Sequence, residues 1–281
     1  MPFGLKNAAQ RFQRLMDKIL NGLPWCFVYL DDILVASRSM TEHRDHLETL
    51  FTILSQNGLV VNKAKCELGV PFLDFLGHRV SSKGILPMPD RVTAIRQFPT
   101  PKDKPALQRF LGMVNYYHRF MPHIAEKLIP LHQAVGNKKG KTIEWSEQCG
   151  LALEQAKEAL ARATLLSHPA RDAETTITVD ASDIAMGGQL EQKIDGKFRP
   201  VAFFSKKLSA AERKYSAFDS ELLGIYASIK HFRHFVEGRS FTVFTDHKPL
   251  TTALASQVDR SPRQTRHLSF IAEFTSQTFV T

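Results

Sequence analysis

At 281 residues the chain has room for one large domain or two to three small ones, and 43% hydrophobic against 23% charged residues suits a water-soluble globular protein. No apolar run approaches the ~20 residues that cross a bilayer, and the N-terminus has no secretory signal pattern. The net charge is +9, and Cys26, Cys66 and Cys149 have neither metal-ligand spacing nor an even disulfide set, which points to a reducing compartment.

Residues 5–20 place Phe12, Leu15, Met16, Ile19 and Leu20 on one helical face, and Gly22 and Pro24 end that helix. The apolar residues 27–30 and 33–36 on either side of Asp31-Asp32 predict a buried β-hairpin with an acid pair at its tight turn. Two charges beside a core need an offset to repulsion and desolvation, which a pair of divalent cations supplies. A plain Asp–Asp turn is the alternative. Ser39-Met40-Thr41-Glu42 fits a capping box opening a helix that buries Leu47, Leu50, Phe51 and Leu54, with Gly58 closing it. A short strand at 59–61, a basic turn at 62–65 and a hairpin over 72–80 complete an α+β pattern.

The prolines from Pro87 to Pro105 predict punctuation rather than long elements. A helix from about Pro105 carries Leu107, Phe110, Leu111, Val114 and Tyr117 on one side, with Arg109, Asn115, His118 and Arg119 on others, inside a small basic helical unit over 89–136. Residues 137–141 read as a solvated linker and 145–163 as a helix. From Thr164 the pattern becomes α/β: strands at 175–180, 186–192 and 200–204, a long helix over 216–236, a strand at 241–246 and a last helix over 263–274.

The charge surplus is confined to one segment. Residues 51–141 hold 14 basic and 5 acidic residues, whereas the stretches on either side balance. That distribution is the footprint expected for a polyanion such as nucleic acid. In the C-terminal part, Asp180 and Asp246 each end a predicted strand and Glu221 lies early in the helix between them. Three carboxylates from three elements can converge at one end of a sheet, where two divalent cations orient water on a phosphodiester. Taken singly, each is also an ordinary turn or helix acid.

These motifs together resemble the polymerase–ribonuclease H segment of a gypsy-type LTR-retrotransposon Pol polyprotein, over almost the whole chain. Met1-Pro2-Phe3-Gly4-Leu5-Lys6-Asn7-Ala8 and Phe12-Gln13-Arg14-Leu15-Met16 resemble the helix beside nucleotide and template, and Tyr29-Leu30-Asp31-Asp32 the metal-binding turn. Gly58-Leu59-Val60-Val61-Asn62-Lys63-Ala64-Lys65-Cys66 is similar to the next palm motif, Phe75-Leu76-Gly77-His78 to the primer-gripping hairpin, and residues 107–120 to thumb and connection. Thr178-Val179-Asp180-Ala181-Ser182, Ser220-Glu221-Leu222-Leu223 and Phe244-Thr245-Asp246-His247-Lys248 resemble the RNase H strands and helix.

The resemblance implies an α+β and α/β chain in three parts: the C-terminal part of a palm (1–88), thumb and connection helices (89–165) and an RNase H-like mixed sheet with helices (166–281). It implies RNA-directed DNA polymerase and RNase H activity with two Mg²⁺ or Mn²⁺ ions per centre. RNA–DNA hybrid, DNA template-primer and deoxynucleoside triphosphates are the implied partners, and no membrane is. Asp31, Asp32, Asp180, Glu221 and Asp246 would ligate metal. Lys65 would protonate departing pyrophosphate, although a plain turn lysine is as good a reading. Phe3 and Gly4 would line the nucleotide site; Tyr29, Phe75, Leu76, Gly77 and His78 would contact template-primer. The family places a further polymerase aspartate upstream of residue 5 and a fourth RNase H carboxylate beyond the last helix, and it has proline where Ala9 stands. A truncated frame, incomplete as a polymerase on its own, is therefore expected; a catalytically inactive or domesticated nucleic-acid-binding remnant is the alternative. The missing targeting signals suggest the cytoplasm, with access to the nucleus.

Overall fold

A computed structural model describes residues 6–136, 142–251, 260–274 and 278–280. The chain divides into two compact units: Met1–Leu76 with Val80–Ser82, and Gly77–Arg79 with Lys83–Thr281.

In the first unit the helix α1 (Ala8–Ile19) leads to a hairpin of β1 (Cys26–Tyr29) and β2 (Asp32–Val35), then to α2 (Met40–Gln56), a 3-10 turn (Lys63–Lys65) and β3 (Phe72–Phe75). Met16 and Leu20 meet Leu50 and Leu54 in a small core, closed by Cys26, Val28, Ile33 and Val35 from alternate positions of the hairpin. The hairpin is therefore buried on one face only, and the expected burial of the acid pair is corrected: Asp31 and Asp32 are exposed, so their charges avoid the desolvation a buried turn would impose. The Ser39 hydroxyl caps α2 by accepting from the Glu42 N–H at 3.2 Å, while the Glu42 carboxylate accepts from Arg38 N–H rather than Ser39 N–H, one residue off a capping box. Phe51 lies on the exposed flank of α2, outside the Leu50–Leu54 stripe. Residues 59–61 form no strand. Leu59 and Val61 pack on the core, Val60 is 96% exposed, and no neighbouring strand pairs with them among the described residues.

The division between the units runs through β4 (His78–Ser81). The proline-rich stretch holds only short elements, the strand β5 (Gly84–Pro87), which the sequence reading did not include, and α3 (Pro89–Arg96), in which Pro89 takes the first helical position, where a missing N–H costs nothing. Next come α4 (Lys104–Tyr116), a 3-10 turn (His118–Phe120), α5 (Ile124–Lys127), α6 (Ile129–Gly136) and α7 (Glu147–Ala161). Leu107, Phe110, Val114, Phe120, Ile124 and Leu131 bury against Leu153, Ala156 and Leu160 of α7. His118 and Arg119 are half-buried rather than surface cations: His118 Nε2 lies 3.2 Å from Ser205 Oγ, and Arg119 reaches the Val201 carbonyl at 3.4 Å. The expected linker at 137–141 lies outside the described residues.

The C-terminal sheet has the order β10 (Thr278–Val280), β9 (Thr242–Thr245), β6 (Thr175–Ala181), β7 (Ala185–Ile194), β8 (Lys197–Lys207). β6, β7 and β8 form an antiparallel meander, and β9 runs parallel to both β6 and β10. Asp195 and Gly196, both at positive φ, make the tight β7–β8 turn. The crossover helix α8 (Ala217–Val236) buries Leu222, Ile225, Ile229 and Phe232 against Ile177, Val179, Leu190 and Val243. α9 (Lys248–Thr251) and α10 (Pro262–Ala272) follow, the latter opened by a reciprocal Ser261–Gln264 capping box.

Candidate active sites

Two carboxylate centres emerge, one in each unit. In the first, the β1–β2 register pairs Tyr29 with Asp32, so Leu30 and Asp31 form the two-residue turn and Asp32 opens β2. Phe27 and Tyr29, each 54% exposed, stand on the outer face, which Asp32 shares through its pairing with Tyr29. An acid pair next to exposed rings suits a polymer carrying charge and stacked bases. Sequence reading missed the support from α1: Gln13 accepts from the Leu30 N–H and donates to the Val28 carbonyl. Lys65 is exposed in its 3-10 turn, and among the described residues no hydrogen bond or ion pair joins it to the acid turn. Phe3 and Gly4 lie outside the described residues.

Of the hairpin residues Phe75, Leu76, Gly77 and His78, Leu76 and Gly77 both have positive φ, +47° and +73°, which tightens the turn. Gly77 is close-packed as well: a Cβ there would lie 2.8 Å from Tyr116 Oη, and Tyr117 Oη donates to the Gly77 carbonyl at 2.9 Å. The His78 ring stacks on Tyr116 and Phe120, with centroids 5.4 Å away in both cases. Aromatic packing from α4 and the turn after it thus fixes Gly77 and His78.

The second centre lies at the carboxyl edge of the C-terminal sheet. Because β6 and β9 are adjacent and parallel, Asp180 near the end of β6 and Asp246 just after β9 leave the sheet on the same side. Glu221, in the second turn of α8, reaches over that edge. Its Oε1 accepts from Ala181 N–H at 3.1 Å and its Oε2 from Thr245 Oγ at 3.4 Å; the Thr245 hydroxyl in turn accepts from His247 N–H. Asp180 and Asp246 are exposed, whereas Glu221 is only 6% exposed. Burial first, then the charge of Asp246 and, more weakly, that of Asp180 push the Glu221 carboxyl up to about 7, against the pull of its two hydrogen bonds.

Two glycines let α8 come this close. A Cβ on Gly224 would lie 2.9 Å from Val179 Cγ1, and one on Gly188 would lie 2.4 Å from Ser228 Oγ. Neither was singled out from sequence; a glycine one helical turn after a candidate ligand was the available signal.

Among the described residues no three His, Cys, Asp or Glu side chains stand close enough to form a ready metal cage. The donor chemistry nevertheless fits a hard divalent cation: Asp180, Glu221 and Asp246 offer only carboxylate oxygens, and although burial is the main cause that raises Glu221, the repulsion that adds to it is what a cation relieves.

Residues 1–80 match the family described as reverse transcriptase (RNA-dependent DNA polymerase), and residues 145–243 the RNase H-like domain found in reverse transcriptase; both families generally use divalent metals. The chain is 33% identical over 280 residues to the transposon Tf2-3 polyprotein of Schizosaccharomyces pombe, covering 98% of this chain and 21% of that one. It is 38% identical over 252 residues to the retrovirus-related Pol polyprotein from transposon 297 of Drosophila melanogaster, covering 89% and 23%. The chain therefore spans between a fifth and a quarter of these relatives. Its fold matches the foamy viral protease-reverse transcriptase dRH solved with double-stranded DNA (TM-score 0.87, 22% identity, all of this chain and 50% of that one). The foamy viral protease-reverse transcriptase solved with an RNA/DNA hybrid gives a TM-score of 0.85 at 22% identity, over all of this chain and 39% of that one. The chain belongs to the retrotransposon Pol family, with a reverse transcriptase region over residues 1–80 and an RNase H-like domain over residues 145–243.

Proposed function

We propose that the chain acts on RNA–DNA template-primer by metal-assisted phosphoryl transfer, and that its RNase H-like centre is the better equipped of the two. The observation that carries this reading is Glu221: a buried carboxyl beside two strand-end aspartates, at the sheet edge where ligands of parallel strands gather. Asp180, Glu221 and Asp246 would hold two Mg²⁺ or Mn²⁺ ions, which when bound supply an activated water and charge neutralisation at the scissile phosphate. The protein's own part is to set the ligands. The Ala181 N–H and Thr245 hydroxyl orient Glu221, and the exposed aspartates meet the polyanion from the open side.

In the polymerase-type centre Asp31 and Asp32 would hold metal for a deoxynucleoside triphosphate, with Tyr29 against the primer–template and Phe75 to His78 along the primer. Phe3 and Gly4 are assigned to the nucleotide and Lys65 to the departing pyrophosphate. Residues 1–88 form the palm portion, 89–165 the thumb and connection and 166–281 the nuclease domain, acting in the cytoplasm with access to the nucleus. Among the described residues the hairpin turn brings two carboxylates together and the sheet edge three, which supports ranking the nuclease-type centre first. The lack of a ready three-ligand cage among the described residues favours one alternative, a nucleic-acid-binding remnant that does not cleave.

Cleavage of a labelled RNA–DNA hybrid in Mg²⁺ or Mn²⁺ decides between them. Cutting by the chain that is lost in Asp180→Asn supports the nuclease; hybrid binding without metal-dependent cutting supports the remnant. Primer extension above that of an Asp31→Asn/Asp32→Asn control overturns the ranking of the two centres.

A further inference from the structure

The acid-bearing turn holds a backbone conformation that its residue does not favour. Leu30, between Tyr29 and Asp31, has φ +52°, the left-handed region that suits glycine and is tolerated by asparagine or aspartate far better than by leucine. Strain of this kind persists only where the surroundings over-determine it.

One side chain from another element does so. Gln13 Oε1 accepts from the Leu30 N–H at 2.7 Å, and Gln13 Nε2 donates to the Val28 carbonyl at 3.1 Å and to Asp17 Oδ1 at 2.8 Å. The orientation of the amide is not a free choice. Leu30 N–H can only donate and the Val28 carbonyl can only accept, so a flipped amide would lose both bonds. The two backbone partners flank Tyr29, so Gln13 closes a ring over the segment that delivers Asp31 and Asp32. Its helix is itself anchored, through Met16 and Leu20, in the core beneath the hairpin.

We propose that Gln13 is the positioning residue of the polymerase-type centre, holding Leu30 left-handed so that the Asp31 and Asp32 carboxylates present together at the turn. The inference rests on reading those two aspartates as metal ligands. Gln13 touches neither carboxylate and acts only through the backbone.

The test uses the isotope-labelled full chain with Mn²⁺ as the probe, and compares wild type, Gln13→Met, Leu30→Gly and the double variant by NMR. Gln13→Met should speed hydrogen exchange at the Leu30 amide by about tenfold, the change one ordinary hydrogen bond controls. It should also weaken Mn²⁺ broadening of the Asp31 and Asp32 amides while Met16, Leu20, Leu50 and Leu54 keep their protection. Adding Leu30→Gly should restore the broadening, because glycine holds positive φ unaided; a side chain that merely glued α1 to the hairpin would not be rescued this way. Unchanged Leu30 exchange in Gln13→Met, no rescue by Leu30→Gly, or a uniform loss of core protection each overturns the proposal. No Mn²⁺ broadening in the wild type overturns the metal-ligand reading instead, and Leu30 exchange then decides for or against the clamp.

Discussion

The two carboxylate centres are built in opposite ways. The hairpin turn places its acids side by side in the chain, in water, and spends structure on the backbone: a left-handed Leu30 and a Gln13 amide closing over it. The sheet edge gathers its acids from two strands and a helix and spends structure on burial. Glu221 is enclosed, hydrogen-bonded on both oxygens and raised first by burial and then by its acidic neighbours, while two close-packed glycines set the height of its helix. A local centre is fixed by turn geometry. A composite one is fixed by packing at a distance, and it is correspondingly open to damage from residues that touch no ligand.

The sharpest break between the two comes at Gly224. A β-branched side chain there collides with Val179, which is itself buried, so α8 must lift from the sheet and carry Glu221 with it. Gly224→Val should lower stability by about 2–3 kcal/mol in urea denaturation, with a concurrent loss of hybrid cleavage. Mn²⁺ broadening at Asp31 and Asp32 should be unaltered. Equal damage to both centres would show that they do not stand on separate supports.

A second difference is in pH. The Glu221 carboxyl titrates at about 7 in the fold and near 4.5 unfolded, so the native state binds the extra proton between those values. Its contribution is therefore fully present below about pH 4.5 and is lost as pH rises through 7. Glu221→Gln removes that loss, and should be more stable than wild type at pH 8 by on the order of 1–2 kcal/mol, with the gap closing by pH 4. Thermal denaturation across that range checks it; a gap that is constant with pH would mean the charge is not what burial penalises. Mg²⁺ added at pH 8 should stabilise the wild type and leave the variant unmoved.

What could be read from sequence follows the same division. The hairpin is written in four consecutive letters with apolar flanks, but its turn falls one residue earlier than expected, at Leu30–Asp31, and it is buried on one face only, because alternate residues of a surface hairpin face water. Asp180, Glu221 and Asp246 were legible as strand and helix ends, since β-branched runs mark where β6 and β9 stop. The supports were not. Gln13 bonds across the chain to Leu30, and Gly188 meets Ser228 only once helix and sheet are docked, so no spacing rule finds either. The failed strand at 59–61 and the unforeseen β5 share a cause: short apolar runs become strands only if another strand or a bridge receives them. Ile85 finds Leu166, with mutual N–H···O bonds of 2.8 and 3.0 Å, and Val60 finds no such partner among the described residues.

The smallest expected effect tests whether the close seat of α8 is optimal. Ser228 is fully buried, its hydroxyl has no hydrogen-bond partner among the described residues, and it is the group that a Cβ on Gly188 would strike. Keeping a hydroxyl dry and unpaired costs about 1 kcal/mol or more, while the atom fills space that an alanine would leave partly empty. The hydroxyl is small and the desolvation term is the larger, so Ser228→Ala should stabilise the domain by up to about 1 kcal/mol and leave Glu221 in place. Gly188→Ala alone should cost about 1–3 kcal/mol by overpacking, and the cost should shrink in the double variant because the nearer of the two colliding atoms is gone. A Gly188→Ala penalty that is the same with serine or alanine at 228 would show that the helix is held off the sheet by something other than this contact.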